Sequence, residues 1–160
     1  IISNKEVLLM MNKAKLLLLL TAGLTFSLSG HAESVKKAED NGRLPAYRLI
    51  NTPDNRAAFI KGSVPGLKKI PAHSFWFSNT IEEWQKGVHP APRKQYVVTL
   101  KGTLRFKVSD GSTFMIAPGT VLLAEDTEGE GHSWEMVDGD EWIRAYIPVS
   151  GTDNYFIADE

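Results

Sequence analysis

Of the four histidines, three, His73, His89 and His132, lie beyond residues 1–32, which read as a signal peptide, and any chemistry of the remaining chain that needs an imidazole must draw on them. The chain has no cysteine, so disulfides, thiolate metal sites and thiol nucleophiles are excluded. His89 stands in Trp84-Gln85-Lys86-Gly87-Val88-His89-Pro90-Ala91-Pro92-Arg93-Lys94-Gln95, and His132 closes Glu125-Asp126-Thr127-Glu128-Gly129-Glu130-Gly131-His132. Each directly precedes a β-type run, which places both at strand mouths. Alternation puts Trp134 and Met136 on the face of His132, and Phe75 and Phe77 on the face of His73. Arg93 carries a planar fork suited to a carboxylate or phosphate, with an ion pair to the acidic loop at 125–130 as the alternative.

Several chemistries are unsupported. The acidic loop from Asp126 resembles a calcium loop only at its first positions, because Val137 stands where the bidentate glutamate belongs. The chain also lacks a phosphate-binding glycine loop, a G-x-S-x-G elbow and a helical H-E-x-x-H.

Positioning these residues falls to short β-type runs separated by Gly, Pro, Asn and Asp: 47–50, 57–60, 73–77, 95–100, 104–108, 114–116, 121–124, 133–137 and 142–148. Such a pattern predicts a sandwich or barrel. Lys101-Gly102 is expected to turn the chain, and Asp110-Gly111 to close a hairpin. Leu104, Phe106 and Val108 alternate with Thr103, Arg105 and Lys107, giving one core face and one solvent face. A helix is expected only over Thr80 to Lys86, capped by Asn79 or Thr80.

At 160 residues the chain suits one domain. Lys13 and Lys15, the apolar run from Leu16 to about Leu28, and Gly30-His31-Ala32 read as a signal peptide over 1–32, with an over-extended start before Met11. Residues 33–44 read as a flexible leader and 45–160 as the domain. Removing 1–32 leaves 15 basic and 18 acidic residues, a net of −3, which disfavours nucleic acid as a partner. The expected location is periplasmic or secreted, with no membrane contact after cleavage.

The two histidine segments resemble the motifs of the cupin superfamily, in particular small single-domain members with a His-Pro-Ala-Pro-Arg-x-Gln element. Against G-x5-H-x-H-x3-4-E-x6-G the chain offers His89, Ala91 in place of the second histidine, Gln95 for the glutamate, and Gly102. Against G-x5-P-x-G-x2-H-x3-N it offers Gly119, Glu125 for the proline, a two-residue insertion, Gly129, His132, and Met136 for the asparagine. The resemblance implies an all-β double-stranded β-helix, or jelly roll. It also implies one divalent transition metal (Fe, Mn, Zn or Ni) on His89, His132 and Gln95, acting on a small organic molecule that Arg93 would orient if anionic. Glu125, Asp126 or Glu128 on the acidic loop could stand in for the imidazole absent at Ala91. The alternative is a metal-free binding or sensing module whose pocket draws on Arg93, Gln95, Trp134, Met136, Phe75 and Phe77. A homodimer is the third expectation, through an open strand edge.

Overall fold

The computed structural model describes residues 42–151 and 155–160. The expected signal peptide, 1–32, and most of the expected leader, 33–44, therefore lie outside the described residues. Within them the chain is all-β: β1 (Arg43–Asn51), β2 (Ala57–Pro65), β3 (Trp76–Ser78), β4 (Gln95–Lys107), β5 (Thr113–Ile116), β6 (Val121–Ala124), β7 (Ser133–Pro148) and β8 (Ile157–Ala158). The strands form one mixed sheet in the order β3-β7-β4-β6-β1-β2-β8, with β5 added to β4. All pairings are antiparallel except β1 with β6. The sheet is not closed on itself, and its arrangement is compatible with a jelly roll.

β4 and β7 form the spine. They pair from Gln95↔Pro148 to Lys107↔Ser133, and the register slips three times between Thr99 and Leu104. The sequence suggests two strands in each of these stretches, joined at Lys101-Gly102 in the first. Instead each is one strand bent at a bulge. Gly102 does need glycine, since its φ is +93° and a Cβ there would lie 2.7 Å from the Glu141 carbonyl oxygen, but it bends a strand and does not reverse one. The Asp110-Gly111 hairpin forms as expected, with Gly111 at φ +87° and Lys107 paired with Thr113.

Alternation sorts the apolar side chains into two cores. Leu104, Phe106, Val108, Leu122, Ala124, Phe114 and Ile116 pack into the larger one, and Val121, Leu123, Ala46, Val64 and Tyr96 into the other, on the opposite face of β6. β6 is therefore buried on both sides, which its unbroken apolar run Val-Leu-Leu-Ala permits.

Three local expectations differ from the structure. The helix over Thr80 to Lys86 shrinks to a single 3-10 turn, Glu83–Gln85, headed by Glu82 and not by Asn79 or Thr80. So short a segment cannot repay helix nucleation, and it is held by the Glu82 N–H donating to Gln85 Oε1 at 3.0 Å. His73 lies before β3, exposed and outside any strand. β1 also starts at Arg43, inside the expected leader.

Candidate functional site

The loops ahead of β4 and β7 meet at the two histidines. His89 and His132 form an isolated antiparallel bridge, each N–H donating to the other's carbonyl oxygen at 2.9 and 3.0 Å, and their rings lie 4.9 Å apart. Gly131 allows this approach: its φ is +78°, and a Cβ there would fall 2.1 Å from the His89 carbonyl.

Each imidazole is oriented through Nδ1. His132 Nδ1 lies 2.6 Å from Asp126 Oδ2, with both residues buried, and a carboxylate that only accepts keeps the proton on Nδ1. His89 Nδ1 is 2.9 Å from the Gly87 carbonyl oxygen, which likewise requires a proton there. In the neutral form of either ring the lone pair is therefore on Nε2. Burial is the main cause holding His89 below the ordinary histidine range, and a neighbouring His132 acts in the same sense, while the Gly87 carbonyl and Asp126 oppose them. Burial thus favours the neutral form of His89.

Both rings line a small cavity shared with Ala91, Gln95, Trp134 and Trp142, of about 30 Å³. That is room for a water or two, or for one ion with a bound water. Gln95 Oε1 is buried with no hydrogen-bond partner among the described residues, as is Asp126 Oδ1. An orphaned buried acceptor carries a desolvation cost, and such atoms concentrate where a ligand, ion or water belongs. His89, Ala91, Gln95 and His132 all face this one space.

A second, larger chamber of about 390 Å³ shares the walls Trp84, Gln85, Pro92, Gln95 and Tyr146 with the first. Arg93 lines it, exposed, its guanidinium carbon 5.4 Å from the Trp76 ring centre. No ion pair joins Arg93 to the 125–130 loop among the described residues. Phe77 lines this chamber too, whereas Phe75 packs edge-on against Phe77 and borders an apolar groove on the other side with Leu44 and Tyr96. Trp134 faces the histidine cavity as expected, but Met136 packs into the larger core and does not line it.

Glu125 is directed elsewhere. Its carboxylate meets Arg48 Nε at 2.6 Å, and it does not line the histidine cavity. In the run Glu125-Asp126 only the second side chain turns toward His132.

The sequence offered Asp126 as a substitute metal ligand and not as the partner of His132, and it did not mark the buried group Gln85, Arg144 and Tyr146. Their signal is weak, since polar residues in strands and loops ordinarily face water. Comparison with protein-family models and with curated proteins returns no match. What the fold and site define is an all-β domain with a paired-histidine cavity opening beside a larger aromatic chamber.

Proposed function

We propose that this chain is an exported, cupin-type small-molecule protein whose inner cavity holds one divalent transition metal through His89 Nε2, His132 Nε2 and Gln95 Oε1. The observation that carries this reading is that two imidazoles with free Nε2 atoms share one cavity with the unpartnered Gln95 Oε1. Two nitrogens and an amide oxygen suit a borderline ion such as Zn, Fe, Mn or Ni. Asp126 strengthens the fit, because a carboxylate behind a ligating imidazole fixes its tautomer and raises its basicity. It also supplies negative charge that the neutral amide at Gln95 does not.

A bound metal would act there as a Lewis acid or an oxygen-activating centre. The chain's own residues do the rest. Trp134, Trp142 and Phe106 line the cavity with apolar rings, burial favours the neutral form of His89, and the adjoining chamber with Arg93 at its rim receives an organic molecule. Without a metal, the same two imidazoles and the amide would hydrogen-bond that molecule directly, which is the reading of a binding or sensing module.

Elemental analysis of the chain, purified without a metal-binding tag, separates the two. A near-stoichiometric transition metal that is lost in folded His89→Ala supports the metal site. Folded wild-type protein that carries none and takes up no added Co²⁺ or Zn²⁺ refutes it in favour of the metal-free binder.

A further inference from the structure

Arg144 is among the most deeply buried large side chains of the domain, 1% exposed, and no carboxylate among the described residues pairs with it. Its partners are all neutral. Nε donates to the Tyr146 hydroxyl at 2.7 Å, Nη1 to the Trp142 carbonyl at 3.0 Å, and Nη2 to the Thr80 carbonyl at 2.8 Å and to Gln85 Oε1 at 3.2 Å. Its guanidinium also stacks 4.2 Å from the Trp142 ring. A guanidinium has five N–H donors, so one on Nη1 is uncommitted. A buried cation without a counter-charge is costly, and such a group beside a cleft is a candidate binding residue.

Tyr146 completes the arrangement. Its hydroxyl oxygen accepts from Arg144 Nε and also from Gln85 Nε2 at 3.0 Å. Both lone pairs are then occupied, and the O–H hydrogen has no partner among the described residues. Tyr146 lines the histidine cavity and the larger chamber alike, while Arg144 lines the larger chamber.

We infer that Arg144 and Tyr146 anchor the carboxylate of a small organic acid in the larger chamber, its flat apolar body held against Trp76, Phe77 and Trp84. The remaining Nη1–H and the Tyr146 O–H supply two donors, and the buried positive charge selects an anion over a neutral isostere. Glu82 is the opposing charge in the same chamber, but its carboxylate is engaged by the Trp84 indole N–H, and Arg93 and Arg144 together outweigh it. About 390 Å³ accommodates a molecule of roughly ten non-hydrogen atoms, the size of a benzoate or a short acyl chain. The inference rests on the proposed function only in treating this acid as the molecule acted upon; the binding itself needs no metal.

The test is titration of the EDTA-treated chain with benzoate at constant ionic strength, read by fluorescence of the chamber tryptophans, with benzamide as the uncharged isostere. Saturable binding of benzoate, with benzamide about tenfold weaker or worse, is expected. Tyr146→Phe, which keeps the ring, should weaken benzoate by about tenfold. In the wild-type chain the Arg144 Nε–H resonance should shift on saturation, and that measurement depends on no variant folding. Benzamide binding as well as benzoate, no saturable benzoate binding, or an unmoved Arg144 resonance would each overturn the inference. Benzoate binding by a chain that takes up no metal refutes only the metal site, and metal uptake without benzoate binding refutes only the carboxylate anchor.

Discussion

His132 Nδ1 and Asp126 Oδ2 lie 2.6 Å apart inside the domain, so the loop that closes on β7 carries both an imidazole and the carboxylate that aims it. If His132 ligates a metal, Asp126→Asn should leave the fold intact and lower Co²⁺ affinity by about 10–100-fold, the range for carboxylates behind ligating histidines. Glu125→Gln should leave it unchanged, because Glu125 is held by Arg48. A Co²⁺ absorption titration of both variants decides the point, and equal losses in the two would sink the assignment.

Ala91 is buried on the wall of the cavity that holds His89, Gln95 and His132. Ala91→His should therefore give two opposite readouts. Co²⁺ binding tightens through a third imidazole, while the metal-free protein loses about 1–3 kcal/mol from overpacking a space of about 30 Å³. Urea denaturation with and without metal measures both, and unchanged Co²⁺ affinity would place Ala91 outside the ligand sphere.

Gly131 and Gly111 both have positive φ, yet only Gly131 is crowded by backbone. Gly111→Ala should cost about 1–2 kcal/mol, the conformational penalty alone. Gly131→Ala should cost more than about 4 kcal/mol, because its Cβ would force the His89 backbone away and break the bridge to His132. Comparable unfolding midpoints for the two variants would contradict this account.

Burial, followed by the nearby Glu125 charge, pushes the Tyr96 hydroxyl up to about 12. The folded state thus keeps a proton that the unfolded chain releases near pH 10. The resulting stability is fully present below pH 10 and is lost as pH rises toward 12. Tyr96→Phe should flatten that part of the stability–pH curve, whatever its effect at neutral pH, and an unaltered slope between pH 10 and 12 would refute the assignment.

Leu104 is fully buried on β4 and Leu100 is half exposed on the other side of the Gly102 bulge. Leu104→Ala should cost about 2–5 kcal/mol, and Leu100→Ala no more than about 0.5 kcal/mol. Chemical denaturation distinguishes them.

The sequence by itself determined what local sterics and alternation decide. Leu104, Phe106 and Val108 share a buried face because side chains in a strand alternate, and Asp110-Gly111 turns the chain because glycine tolerates positive φ. The sequence grouped His89, Ala91, Gln95 and His132 as one candidate site through an expected resemblance, and the four line one cavity. Tertiary structure alone decided the rest. Gly102 signals an unusual backbone, but whether that backbone reverses the strand or bends it depends on β7 running alongside as a single partner. Glu125 and Asp126 are adjacent acids, and the fold sends one to Arg48 and the other to His132. Arg144, Tyr146 and Gln85 read as ordinary polar residues of a strand and a loop. Their group exists because β7 passes behind the 3-10 turn, a long-range contact that produces no local period in the sequence.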